Sequence, residues 1–303
     1  MLNAIHQIFM KKKMQKFCKN PECKQEFNTD RSKVEYCSRA CSNEDKYRVR
    51  TEGIKEFNVI SSGGGVQSTA MIAMVYKGEL PKPDLVLMVD TGYEKRGTLD
   101  YTRRVLIPAC NKIGVEFKIL NTPDNRLFNE SGMILIPAFK KIEDGKIQRL
   151  YTMCSGNWKA AVMRKYLRSI GIKKAKSWIG ISIDESERQK QSNLKWISNH
   201  YPLVEMNMSR YQCLYLIRSL GWPSPARSSC IMCPLQHDDE YELMKSEYPE
   251  DYQRVVRMDN EIEKVNSNIY LHRSMVRMRD IIWQCDLMGK IALIPAVPCE
   301  ICQ

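Results

Sequence analysis

The sequence predicts an α/β fold: a parallel sheet with helices on both faces, preceded by a small cysteine-rich module and followed by a helical C-terminal region. Three observations carry this expectation. Apolar runs at 57–60 and 84–90 lack the alternation of a half-solvated strand, as in sheets covered on both faces. Each run ends in a glycine-containing turn and is followed by helical periodicity, the order of a strand–helix unit. Four cysteines fall in two close pairs within the first 41 residues.

The cysteine pairs come first. Cys18 and Cys23 form one, Cys37 and Cys41 the other. Four thiolates so spaced can enclose a tetrahedral zinc. Residues 1–50 are too few to bury a core, so a metal would supply their folding free energy. A helix is expected to start at the second pair, and the charged stretch 43–56 to link this module to the next domain.

The glycine triplet is next. The strand at 57–60 runs through Ser61 and Ser62 into Gly63, Gly64 and Gly65, then Val66, Gln67, Ser68 and Thr69, with an apolar helical pattern over about 70–76. Glycines let backbone N–H groups approach an anion closely, and a helix N-terminus adds partial positive charge. The four hydroxyls around the triplet are expected to donate to phosphate oxygens. No Gly-Lys-Ser/Thr follows, so this is not a Walker loop.

Further strands are expected at 84–90, 115–120 and 177–183, with a helix over 97–112. Ligands in such sheets bind at the carboxyl ends of strands. Residues 63–68, Asp90, Thr91 and Gly92, and the segment from Gly180 to 184 should therefore share one rim. Asp90 would contact ribose, position a metal, or cap the following helix.

Composition bounds the rest. The 303 residues carry a formal charge of +12, and residues 1–56 hold 13 Lys+Arg against 8 Asp+Glu, a net of +5. Such charge suits a DNA or RNA partner or a merely basic surface. No apolar run reaches membrane-spanning length, and the order of the N-terminal residues is wrong for a secretory signal, so a cytoplasmic protein without membrane partners is expected. Twelve cysteines in that compartment point to metal or catalysis, not disulfides. Cys110 and Cys285 read as packing residues. Cys230-x-x-Cys233 suits a redox dithiol, zinc or an iron–sulfur cluster, with Cys154 and Cys213 as further thiolates. Cys299 and Cys302 close the chain as a second Cys-x-x-Cys, a redox pair or a metal site. Arg164 and Arg210 read as solvated surface charge.

The pattern Ser62-Gly63-Gly64-x-x-x-Ser68 resembles the pyrophosphate loop (PP-loop) of the adenine nucleotide α-hydrolase-like superfamily, which holds ATP pyrophosphatases and phosphoadenosine phosphosulfate (PAPS) reductases. The resemblance to PAPS reductases extends over Asp90-Thr91-Gly92, the Cys154 to Lys159 segment, Gly180, the segment containing Arg188, and Cys230-x-x-Cys233. Tyr36-Cys37-Ser38-x-x-Cys41 resembles treble-clef zinc fingers. Departures are Gln67, where many ATP-using members carry Asp, and Met153-Cys154, where one reductase branch has Cys-Cys.

This resemblance implies a zinc module over 1–50, a PP-loop domain over 51–237 and a helical region over 238–303. It implies an adenine nucleotide, ATP or PAPS-like, held by Ser62 to Gly65, Gln67, Ser68, Asp90 to Gly92 and Gly180, with Lys159 and Arg188 at the anion and magnesium as companion. It also implies a cluster or second zinc at Cys154, Cys213, Cys230 and Cys233. The reaction expected is adenylation of an acceptor in sulfur-related or nucleic-acid modification chemistry, with a sulfur donor. The alternatives are a sulfonucleotide reductase whose tail thiol, Cys299 or Cys302, attacks sulfur with a thiol reductant protein as partner, or a non-catalytic adaptor.

Overall fold

A hairpin opens the structure, a computed structural model that describes residues 13–123, 126–142, 145–150 and 155–283. β1 (Met14–Phe17) pairs antiparallel with β2 (Glu26–Thr29), and α1 (Arg39–Thr51) follows. Ser38 caps α1 by accepting the Cys41 amide at 3.1 Å, so the helix starts within the second cysteine pair as expected. The stretch expected to be a linker is helical as far as Thr51. Its Asp45 is satisfied locally by Tyr36 and Arg48, each at 2.9 Å.

The central domain alternates strands and helices: β3 (Phe57–Ser62), α2 (Val66–Lys77), β4 (Leu85–Asp90), α3 (Arg96–Tyr101), α4 (Ile107–Lys112) and β5 (Phe117–Asn121). A wider π-helical turn, Thr102–Leu106, joins α3 to α4, so the helix expected over 97–112 is continuous but locally underwound. Two short strands follow, β6 (Ala138–Lys141) and β7 (Ile147–Leu150). Then come α5 (Ala161–Ser169), β8 (Ala175–Ile179), β9 (Ile197–His200), α6 (Pro202–Glu205) and α7 (Arg210–Ser219). The chain continues through α8 (Asp238–Glu247), α9 (Pro249–Val265) and β10 (Ile269–Tyr270).

Five strands form one parallel sheet in the order β5-β4-β3-β8-β9. Both faces are covered. Met163 and Leu167 of α5 pack on one side against Val59, Leu87 and Ala175. Residues of α2, α4, α6 and α7 pack on the other against Ile60 and Val86. The apolar runs of β3 and β4 are explained by this double burial. β4 lies on one side of β3 and β8 on the other, so the strand order reverses at β3 and opens a crevice at its carboxyl end.

A third apolar cluster joins α8 and α9 to Ile136, Ala138, Trp158 and Ile231. It includes a small antiparallel sheet, β10-β6-β7. No helix among the described residues is long and apolar enough to cross a membrane.

Candidate functional site

The glycine turn sits at the carboxyl end of β3, where the sheet order reverses. Gly64 has φ +69°, and a Cβ there would lie 2.7 Å from Thr98 Cγ2. Gly65 is the N-cap of α2; a Cβ on it would lie 2.6 Å from Ser228 Oγ. No described side chain caps α2, and its first turn holds no acid. The helix N–H groups and the positive end of its dipole are therefore presented to the crevice, the arrangement that receives anions.

The loop hydroxyls do something other than expected. Ser62 Oγ accepts the Gly64 amide at 3.2 Å, and Ser68 Oγ donates to the Gly65 carbonyl at 3.1 Å; both residues are buried. Ser61 Oγ lies 3.4 Å from Met163 Sδ. The Ser62 and Ser68 hydroxyls hold the turn from within, and the Ser62 hydroxyl takes up the Gly64 amide. Gly180, just after β8, packs closely on the turn: a Cβ there would stand 2.8 Å from the Ser68 nitrogen.

Gln67 is fixed from two sides. Its Nε2 donates to Glu185 Oε2 at 3.2 Å, and Arg210 Nη1 donates to its Oε1 at 3.1 Å. Arg210 is thus part of the rim, a role the sequence reading missed because the residue lies 143 positions away at the start of α7. Its own amide is held by Asp184. Arg188 pairs with Glu185 at 2.8 Å and is largely exposed, so it reaches the loop through that carboxylate.

After β4, Asp90 Oδ1 accepts the Gly92 amide at 2.8 Å, closing its own turn. Thr91 is buried and donates to Glu94 Oε1 at 3.2 Å. Glu94 is the unexpected residue here. Its side chain is fully buried, Lys159 Nζ lies 2.7 Å from Oε1, and Cys230 Sγ lies 3.7 Å from the same oxygen. Glu94 and Cys230 are also bridged through their backbones. Burial, with the Glu94 charge adding to it against Lys159, pushes the Cys230 thiol up to about 12. As a free thiol it is a poor nucleophile at neutral pH.

The four thiols of Cys18, Cys23, Cys37 and Cys41 come together, with all sulfurs within 4.8 Å of one another. Cys23 and Cys37 are 3.5 Å apart, Cys37 and Cys41 3.4 Å. A tetrahedral zinc with Zn–S near 2.3 Å needs sulfurs at comparable separations, so the donor set fits zinc. Hydrogen bonds shared with Cys41 and Cys23 push the Cys37 thiol up to about 12. Burial opposes ionisation of Cys18, but the Cys37 and Asn20 amides pull that thiol below its ordinary value.

The second cysteine set does not assemble as expected. Cys213 is fully buried on α7 among α2 residues, in a different apolar cluster from Cys230, and burial raises its thiol to about 11. It is a packing residue, because it faces the sheet, not the rim. Cys110 packs in the same cluster, as expected. Cys154, Cys285, Cys299 and Cys302 lie outside the described residues. Among the described residues, Cys230 and Cys233 supply two thiolates, short of a complete zinc or cluster set.

A cavity of about 790 Å³ adjoins the glycine turn. Thr98, which packs on Gly64, and Arg227, next to Ser228, line it together with Tyr101, Arg104, His237 and Tyr248. Glu240 crosses its floor, paired with Lys95 at 3.1 Å and Arg227 at 2.9 Å.

No protein-family model matches the chain, and no curated protein matches it. Among solved structures the chain is similar to phosphoadenylyl-sulfate (PAPS) reductase from Candida auris in its phosphate complex, with 13% identity and a TM-score of 0.38 over 59% of this chain and 80% of that one. It is also similar to the U34-tRNA thiolase NcsA from Methanococcus maripaludis with its 4Fe–4S cluster, with 17% identity and a TM-score of 0.37 over 91% of this chain and 93% of that one.

Proposed function

We propose that this chain is a PP-loop enzyme of the PAPS-reductase-like kind, which binds an adenine nucleotide at the turn from Gly63 to Ser68 and uses it to adenylate an acceptor in sulfur-related or nucleic-acid modification chemistry. The observation that carries this reading is the uncapped N-terminus of α2, presented by a glycine turn at the strand-order reversal. The acceptor oxygen attacks the α-phosphorus, and pyrophosphate leaves with its charge met by the loop N–H groups. A sulfur or nitrogen nucleophile then displaces AMP. Magnesium would accompany the phosphates. The cavity beside the turn has room for the acceptor group, with Arg104 and Arg227 at its wall. A zinc held by the first four cysteines would shape the N-terminal module.

Product analysis tests the reading. With ATP and magnesium, AMP and pyrophosphate should form in step with modified acceptor. Sulfite and adenosine 3′,5′-bisphosphate from PAPS, with oxidation of two thiols, would favour the reductase alternative. Binding without turnover of either nucleotide would favour the adaptor.

A further inference from the structure

Residues 145–183 contain nine Lys and Arg and no Asp or Glu. In a chain with 27% charged residues of both signs, a run of this length on one sign is a feature of the surface, not of average composition. The fold displays much of it together. α5 buries Met163 and Leu167 against the sheet, which turns Arg164, Lys165 and Arg168 outward. The turn into β8 adds Lys173 and Lys174, and β8 itself adds Lys176.

At the β8 end of this run, Glu56 pairs with Lys174 at 3.8 Å and Lys176 at 3.1 Å. Arg164, Lys165 and Lys173 make no ion pair among the described residues. Arg168 lies over the half-buried ring of Trp196, 4.5 Å from its centroid, which places an aromatic plane beside the cations. This surface is on the opposite face of the sheet from α2 and α7. One end of it reaches the rim: Lys159, just before α5, pairs with Glu94 beside Cys230.

We propose that the outward face of α5 and the turn into β8 dock the sugar–phosphate backbone of a nucleic acid. Its role as acceptor rests on the nucleotide-enzyme reading above, whereas its binding does not. Unpaired cations beside an aromatic ring match a polyanion with stackable bases. The nine residues of α5 span about 13 Å, the axial rise of about four nucleotides of a duplex at 3.4 Å each. A strand laid along α5 toward its N-terminus arrives at the Glu94–Lys159 end of the rim.

The test is fluorescence anisotropy of labelled single-stranded and duplex RNA and DNA with the full chain, across a series of salt concentrations. Arg164→Glu/Lys165→Glu is compared with Lys82→Glu/Lys264→Glu, an equal charge change away from α5. The α5 variant should weaken binding at least ~10-fold and reduce the steepness of the log–log salt dependence by about 1.5, whereas the control should move neither appreciably. The four oligonucleotides decide between RNA and DNA and between strand forms. ATP affinity, measured in parallel, should be the same in both variants. Equal loss in the two variants, absence of oligonucleotide binding, or binding of anionic vesicles in its place would overturn the docking surface. Loss of ATP binding by unmodified protein would instead overturn the nucleotide site and leave the docking result standing.

Discussion

Lys159 Nζ closes to 2.7 Å on Oε1 of Glu94, whose carboxylate is fully buried beside Cys230. The pair ties the segment before α5 to the turn after β4, so it holds together two of the loops around the rim. Removing one member of a buried pair leaves an uncompensated charge. Lys159 is about one-third exposed, which reduces that cost through screening. Lys159→Met should therefore destabilise the protein by about 1–3 kcal/mol. Adding Glu94→Gln should recover part of the loss, read as a positive coupling in a urea-unfolding cycle. Strictly additive losses would show that the pair is not an energetic unit.

Gly180 and Ser68 form the second contact to test. A methyl at Gly180 would meet the Ser68 backbone at 2.8 Å, and backbone cannot swing aside as a side chain can. Gly180→Ala should displace the start of α2, lowering adenine nucleotide affinity ~10-fold or more and stability by about 1–3 kcal/mol. Gly171→Ala is the comparison: its φ of +83° strains any side chain, but no atom lies within 4 Å. It should cost stability and leave nucleotide affinity unchanged by calorimetric titration.

The four-thiol module should carry about one zinc per chain by elemental analysis. Cys41→Ser should lower that content and speed amide exchange throughout α1, whose first turn contains the residue. Exchange in β3 and β4 should stay slow, because their protection comes from the double-sided apolar core. Unchanged zinc content in the variant would remove Cys41 from the ligand set.

Asp238 accepts from His272 Nε2 at 3.1 Å and from Arg273, joining the start of α8 to the segment after β10. The hydrogen bond from His272 holds its carboxyl below the ordinary value of 3.8, with the Arg273 charge in support. The stabilisation is therefore complete above that value and is lost as pH falls through the lower folded one. Asp238→Asn should lower the urea midpoint near neutral pH and flatten its fall between about pH 5 and 2. Parallel acid limbs in the two proteins would contradict the assignment.

Much of this was legible in the sequence because it is local. An apolar run entering three glycines can hardly be other than a strand and a tight turn, and both were found where expected. Two cysteine pairs 14 residues apart between Cys23 and Cys37 likewise declared a metal module. What was missed is long-range. Arg210 meets Gln67, and Glu94 meets Lys159 and Cys230, only after the sheet has folded. Before that, Glu94 between Tyr93 and Lys95 reads as an ordinary surface charge. Cys213 misled for the converse reason: a thiol's identity does not show whether its helix turns it to a rim or into a core. The strands β6 and β7 were too short for periodicity to register.

Binding of the phosphates of an adenine nucleotide at the turn from Gly63 to Ser68 stands at the centre of the proposed function. Its most direct measurement is calorimetric titration of the full chain with ATP and with PAPS, repeated on Gly64→Asp. That substitution forces a side chain onto φ +69° against Thr98 and places a carboxylate at the anion site. Saturable binding of at least one of the two nucleotides is expected, lost in the variant while its far-ultraviolet circular dichroism and cooperative unfolding persist. Equal affinity in a folded Gly64→Asp protein, or no binding of either nucleotide to the unmodified chain, would contradict it.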